Sequence, residues 1–183
     1  MVPTTDFESW ETDPGTEEYG GLVSLQEISR AEERLRVSRN VIAIAAALLA
    51  LQEYCHRDEI RIDYLNSNRT DTYLQHTVGL IFKIFPLAVD LSEFASTELL
   101  LQEVNRQVVE GLAHSICDYS SVGNIALDDA LVVNYVADIG NVSGMQGITQ
   151  MDLDMESSYE ATGSHVEIYL IEEDGQVNIS IEY

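Results

Sequence analysis

Residues 58–91 constrain the fold more than any other stretch of the chain. They open with Asp58-Glu59-Ile60-Arg61-Ile62-Asp63-Tyr64-Leu65 and pass through Asn66-Ser67-Asn68-Arg69. They close with Val78-Gly79-Leu80-Ile81-Phe82-Lys83-Ile84-Phe85-Pro86-Leu87-Ala88-Val89-Asp90-Leu91. The closing run is apolar at nearly every position, and its few polar residues are isolated. Short runs of this kind, rich in β-branched and aromatic residues, form buried strands. Arg69, ten residues before Gly79, falls in the turn between two such strands. We expect 60–65 and 82–89 to lie in one sheet.

The flanking segments supply helices to cover that sheet. Ser24-Leu25-Gln26-Glu27 is a capping box, in which Ser24 accepts from an early helix amide while Glu27 reaches back. A helix should follow to about residue 37, and Ser38 can cap the next one over 39–55. Within it, 41–51 is eleven apolar residues without a break. That is far short of the roughly 20 needed to span a bilayer, so the segment reads as a helix buried on most sides. Residues 92–113 read as a second long helix, with Leu100, Val104, Val108 and Leu112 along one face.

The remainder is strand-rich. Residues 130–136 form an apolar run, and 137–164 are rich in Gly, Ser and Asp around a strand-like piece at 148–155. Residues 165–171 and 176–183 alternate polar and apolar, and Asp174-Gly175 between them is a type I′ hairpin signal. Residues 1–18 hold six acids and no base, so 1–19 read as an acidic lead-in or linker. Gly20-Gly21 then breaks the chain before a short strand near Leu22-Val23. The fold class is α+β: a two-layer α/β sandwich, a mixed β-sheet with helices packed on it.

Charge excludes some functions. The net charge is -23, all nine Lys and Arg lie between Arg30 and Arg106, and residues 107–183 carry fourteen Asp and Glu with no Lys or Arg. Such a surface repels nucleic acid and an anionic membrane. It suits a basic partner or a divalent cation, or simply an acidic cytoplasmic protein kept soluble by its charge. Cys55 and Cys117 have no metal-site spacing and read as thiols of a reducing compartment. Asp152, Asp154 and Glu156 do not make a calcium loop, because Ser157 and Gly163 stand where Gly and Glu are needed. No metal site is expected. His114 and Cys117 are close in sequence, but no orienting acid accompanies them.

Gly79, Pro86, Leu87 and Arg69 match by identity, and Leu80, Ile81, Phe82 and Phe85 by type, a motif of the second lobe of nonribosomal peptide synthetase condensation domains. That motif runs Gly-Phe-Phe-Val-Asn-Thr-Leu-Pro-Leu-Arg, with an Arg about ten residues upstream. Lys83, Ile84 and Ala88 stand where Asn, Thr and Arg are usual. His114 and Tyr119 fall where relatives carry His-x-x-x-Pro-Phe, with Asp118 for the Pro. The chain from 20 to 183 thus resembles the C-terminal lobe of a condensation domain, of chloramphenicol-acetyltransferase-like fold. Relatives continue past 183 into a final helix, so the chain reads as an excised piece.

The resemblance implies one wall of a tunnel in which amide bonds form between carrier-bound acyl groups. It makes Arg69, Gly79, Lys83, Pro86, His114 and Tyr119 candidates for the tunnel or the lobe interface. A Lys buried without a partner is costly, so Lys83 should face the inter-lobe surface and water. The implied partners are the first lobe and peptidyl or acyl carrier proteins. The lobe itself binds no cofactor; phosphopantetheine arms arrive on the carriers. The family's His-His-x-x-x-Asp-Gly signature belongs to the first lobe. His56, His76, His114 and His165 are not adjacent, and none precedes Asp-Gly at that spacing, so no catalytic residue is assigned here. His114 also reads as a histidine favoured by the dipole at a helix C-terminus. The alternative is a non-catalytic, condensation-like interaction module, which the changes at Lys83, Ile84 and Ala88 favour.

Overall fold

Both halves of the 58–91 stretch are strands of one sheet, as their composition requires. The computed structural model describes residues 15–67, 69, 72–77, 81–115, 131–137 and 166–182. The strands are β1 Thr16–Ser24, β2 Glu59–Asn66, β3 Lys83–Asp90, β4 Leu131–Val136, β5 Val166–Glu173 and β6 Gln176–Glu182. The helices are α1 Leu25–Leu35, α2 Arg39–Cys55, a single turn α3 Thr72–Gln75, and α4 Thr97–Ala113. The sheet order is β1-β6-β5-β4-β2-β3. β4 runs parallel to both β2 and β5, and the other neighbours are antiparallel.

The helix starts follow the capping residues. Ser24 Oγ accepts the Glu27 amide at 3.2 Å while Glu27 Oε2 accepts the Ser24 amide at 3.2 Å, so the capping box is complete. Ser38 Oγ accepts the Val41 amide at 3.4 Å and opens α2. The expected start of α4 at residue 92 is corrected. Asp90 accepts the Ser92 amide at 3.0 Å and closes a 3-10 turn at Leu91–Glu93, and Ser96 caps the helix proper through the Leu99 amide. Two local oxygen acceptors compete for the chain here, and the later one begins the α-helix.

Three further features concern the turns and the strand boundaries. β1 is nine residues long and starts at Thr16, inside the expected lead-in. Gly20-Gly21 does not end it; the register shifts between Tyr19 and Val23, and Gly21 sits at φ 69 with its amide on Asn178 Oδ1 at 3.0 Å. A bulge admits this backbone where a side chain would be strained. The β5–β6 turn has Asp174 at φ 49 and Gly175 at φ 78, both left-handed as a type I′ turn demands. The strand-like piece at 148–155 lies outside the described residues.

One face of the sheet is covered by helices. Val41, Ile44 and Leu48 of α2 and Leu100, Val104 and Val108 of α4 are buried against Ile60, Ile62, Tyr64, Phe85, Leu87, Val89, Leu131 and Val133. Each such large side chain contributes about 1.5–3 kcal/mol on burial. Tyr64 and Phe85 stack with centroids 5.5 Å apart, and Tyr64 Oη reaches the Val108 carbonyl at 3.5 Å. α4 lies so near that a Cβ on Gly111 would stand 2.9 Å from Tyr64 Oη.

Candidate functional site

The two faces of the sheet differ in chemistry. Side chains alternate along a strand, so Ile62 and Tyr64 point to the helices and Asp63 points away. The pairings carry this division across the sheet. Pro86 pairs with Asp63, Asp63 with Val132, Val132 with Glu167, and Glu167 with Glu182. These residues form one transverse row on the face that α2 and α4 leave uncovered. Val132 is 3% exposed yet stands outside the main core cluster, as this division requires. Arg61, Asn134, Tyr169, Asn178 and Ser180 share the face by register.

The centre of this face is buried without being apolar. Asp63 is 2% exposed, and Glu167 and Ser180 are buried too. Asp63 Oδ1 and Glu182 Oε2 are closed off from water and have no hydrogen-bond partner among the described residues. Burial pushes the Asp63 carboxyl above its ordinary value, and the charge of Arg61 only partly opposes this. The Tyr169 hydroxyl donates to Glu167. Next to Asp63, Pro86 and Leu65 are half-buried and Ala88 is exposed, so the row opens toward the β3 edge.

Among the described residues, those singled out from the sequence do not form one cluster. Pro86 is on the uncovered face, opposite Asp63. It lies in an edge strand, the one place in a sheet where a residue without an amide hydrogen is tolerated. The edge is guarded beside it: Gln107 of α4 accepts the Ala88 amide at 3.2 Å and donates to the Ala88 carbonyl at 2.8 Å. Arg69 has a local role, donating to the carbonyls of Leu74 at 2.7 Å and Thr77 at 2.6 Å around α3.

Lys83, expected at the inter-lobe surface and water, is half-buried and has a partner. Alternation sets it on the helix side with Phe85, half-buried, and its ammonium donates to the Ser115 carbonyl just past α4. A cation there meets the negative end of the helix dipole. His114 caps the same helix end through its backbone amide, and its side chain is exposed. Thus Lys83 and His114, far apart in sequence, meet at one helix terminus. Gly79, Cys117, Tyr119 and the acids Asp152, Asp154 and Glu156 lie outside the described residues.

A second polar cluster sits on the helix side. Arg39 pairs with Glu32 at 2.6 Å and with Glu172 at 2.9 Å, and it donates to Ser29 Oγ at 3.0 Å. The Tyr135 hydroxyl also donates to Glu172. Desolvation, then the bond to Glu172, pushes the Tyr135 phenol well above its ordinary range. These groups satisfy one another and tie α1 and α2 to β4 and β5, so the cluster is architectural. Among the described residues, no group of His, Cys, Asp and Glu is placed to hold a metal ion. No single helix there is long and apolar enough to cross a membrane.

Asp63 is not among the residues singled out from the sequence, although the sequence carries a signal for it. Ile60, Ile62 and Tyr64 alternate with Arg61 and Asp63, and an acid in mid-strand is unfavourable.

Known proteins share this architecture. The condensation domain of the monacolin K polyketide synthase MokA superposes with a TM-score of 0.70 at 14% identity, covering 93% of this chain and 41% of that one. The epimerization domain from the third module of tyrocidine synthetase B gives 0.67 at 14% identity, covering 93% and 42%. At such identities the likeness speaks to the fold. In sequence, the chain is 25% identical over 115 residues to the hybrid PKS-NRPS synthetase iliA of Neonectria sp. (strain DH2), covering 60% of this chain and 3% of that protein. This chain therefore spans under half of each of these proteins. Residues 23–183 match the condensation domain family, and the chain belongs to it.

Proposed function

We infer that this chain is the C-terminal lobe of a nonribosomal peptide synthetase condensation domain, preceded by an acidic lead-in. Its sheet face away from α2 and α4 forms one wall of the tunnel in which amide bonds form between carrier-bound acyl groups. The observation that carries this reading is the burial of three polar residues, Asp63, Glu167 and Ser180, on the side away from the helices. A sheet face meant only for packing would be apolar, as the centre of the other face is at Ile62, Leu87 and Val133. The partners are a first lobe and two carrier proteins with phosphopantetheine arms. The chain does not turn over alone. Amide formation needs both substrates held in near-attack geometry, and the His-His-x-x-x-Asp-Gly signature is absent from the 183 residues.

The test mixes the chain with loaded donor and acceptor carriers. No dipeptide is expected from the chain alone, and adding the first lobe should restore turnover. Turnover by the chain alone, lost in His114→Ala, would overturn this reading. A non-catalytic interaction module of the same fold is favoured by one observation. Lys83 stands at the motif's polar position yet turns its ammonium to Ser115. Lobes that pair tightly without turnover would establish that alternative.

A further inference from the structure

Asp63 is buried at the centre of β2 on the face away from the helices. Among the described residues its Oδ1 has no hydrogen-bond partner, and Arg61, whose charge acts on it, forms no ion pair with it. A buried, unpaired carboxyl costs stability and here contributes no contact in return. Every other buried side chain of β2 packs against the helices, so Asp63 is the one position in the strand whose chemistry the fold leaves unused. Groups of this kind concentrate at binding sites.

Its surroundings indicate what it would bind. Pro86 pairs with it, and Ala88, two residues along β3, is exposed. A ligand lying along β3 on this face would reach Asp63 from the side. The row continues to Glu167 and to Glu182, whose Oε2 also lacks a partner. The wall thus offers carboxyl oxygens, which select N–H donors and cations over anions.

We propose that Asp63 is a binding residue of this wall, whose carboxyl takes the free amino group of an aminoacyl substrate lying across Pro86 and Ala88. This rests on the tunnel-wall reading. Docking brings an ammonium against the carboxyl, and a charge-assisted hydrogen bond replaces the missing partner. Burial alone favours the neutral acid, so docking of the ammonium must release that proton to solvent, and the bound cation lowers the carboxyl's proton affinity in turn.

The probe is a hydrolysis-resistant glycyl-pantetheine amide, compared with its N-acetylated form, on the full chain with and without the first lobe. Carboxyl carbon NMR reads Asp63 directly. The amine form should move the Asp63 resonance and lower its titration midpoint; the N-acetyl form should do neither. Asp63→Asn, which keeps the side-chain shape, should weaken binding of the amine form roughly tenfold, the loss of one charged hydrogen bond, and leave the N-acetyl form unchanged. Asp63→Ala should do the same if Asn retains a partial contact.

Saturation with the amine form without any response at Asp63 would overturn the proposal, as would no binding at ~10 mM, weaker than millimolar affinity. So would a loss of lobe–lobe affinity in Asp63→Asn with unchanged probe binding, which would assign the partner to the first lobe. Dipeptide formation by the lobe pair with Asp63→Asn at the wild-type rate and KM would remove Asp63 while leaving the tunnel-wall reading intact. Amine-specific binding without turnover would leave Asp63 in place and defeat the catalytic reading.

Discussion

The two faces of the sheet are built from alternate residues of the same strands, yet they obey opposite rules. Toward the helices stand Ile62, Tyr64, Phe85, Leu87 and Val133, all buried and all apolar. One residue over on each strand stand Asp63, Pro86, Val132 and their row neighbours Glu167 and Glu182. On the first face burial is the source of stability. On the second, burial of Asp63 works against stability, because a desolvated carboxyl without a partner is unfavourable. Low exposure therefore means different things on the two faces.

The sharpest way to break that contrast is to mutate neighbours in β3. Phe85→Ala should destabilise the chain by about 3–5 kcal/mol in denaturant unfolding. Pro86→Ala, one residue on but facing the other way, should change it by less than about 1 kcal/mol. Equal losses would show that both faces carry the core. Gly111→Ala comes next. The added methyl favours helix by about 1 kcal/mol but meets Tyr64 Oη, whose ring is held against Phe85. Overpacking should win, for a net loss of about 1–3 kcal/mol in thermal or denaturant unfolding. A stabilised variant would mean that α4 stands farther from the sheet.

On the face away from the helices the sign should reverse. Burial raises the Asp63 carboxyl above 3.8 in the folded chain. Its contribution is then fully present below 3.8 and is lost as pH rises through the folded value. Asp63→Asn should gain stability over the parent as pH rises, reaching about 1 kcal/mol near neutrality. Unfolding curves across that range would check it, and a pH-independent difference would count against a desolvated carboxyl. The smallest effect concerns the β3 edge. Gln107→Ala removes both bonds to Ala88 and should cost about 1 kcal/mol or less. Its clearer readout is faster hydrogen exchange at the Ala88 amide; unchanged exchange would show that Gln107 does not guard the edge.

Much of the covered face was legible in advance. The apolar runs around Arg69, the unbroken 41–51 segment and the Leu100–Val104–Val108 stripe carry periodicities that specify strand, buried helix and helix face. The hairpin at Asp174-Gly175 was legible because a type I′ turn needs two left-handed residues. The candidate site was less so. Lys83 was expected at water because its neighbours are apolar, and nothing in 58–91 reveals that the end of α4 lies within reach. Arg69 carries a motif position, but its donors serve a turn too short to leave a periodic signal. Asp63 passed unnoticed because an acid in a strand usually means a wet face.

The sequence by itself determined the main strands and helices, the caps at Ser24 and Ser38 and the alternation that separates the two faces, because each depends on residues within a few positions of one another. Tertiary structure alone decided that β4 inserts between β2 and β5, that Lys83 meets the α4 terminus, and that Asp63 is dry rather than wet. Those outcomes depend on which strands become neighbours and on what lies beside them in space. Burial and hydrogen-bond partnership are properties of the assembled neighbourhood, and no local pattern encodes them.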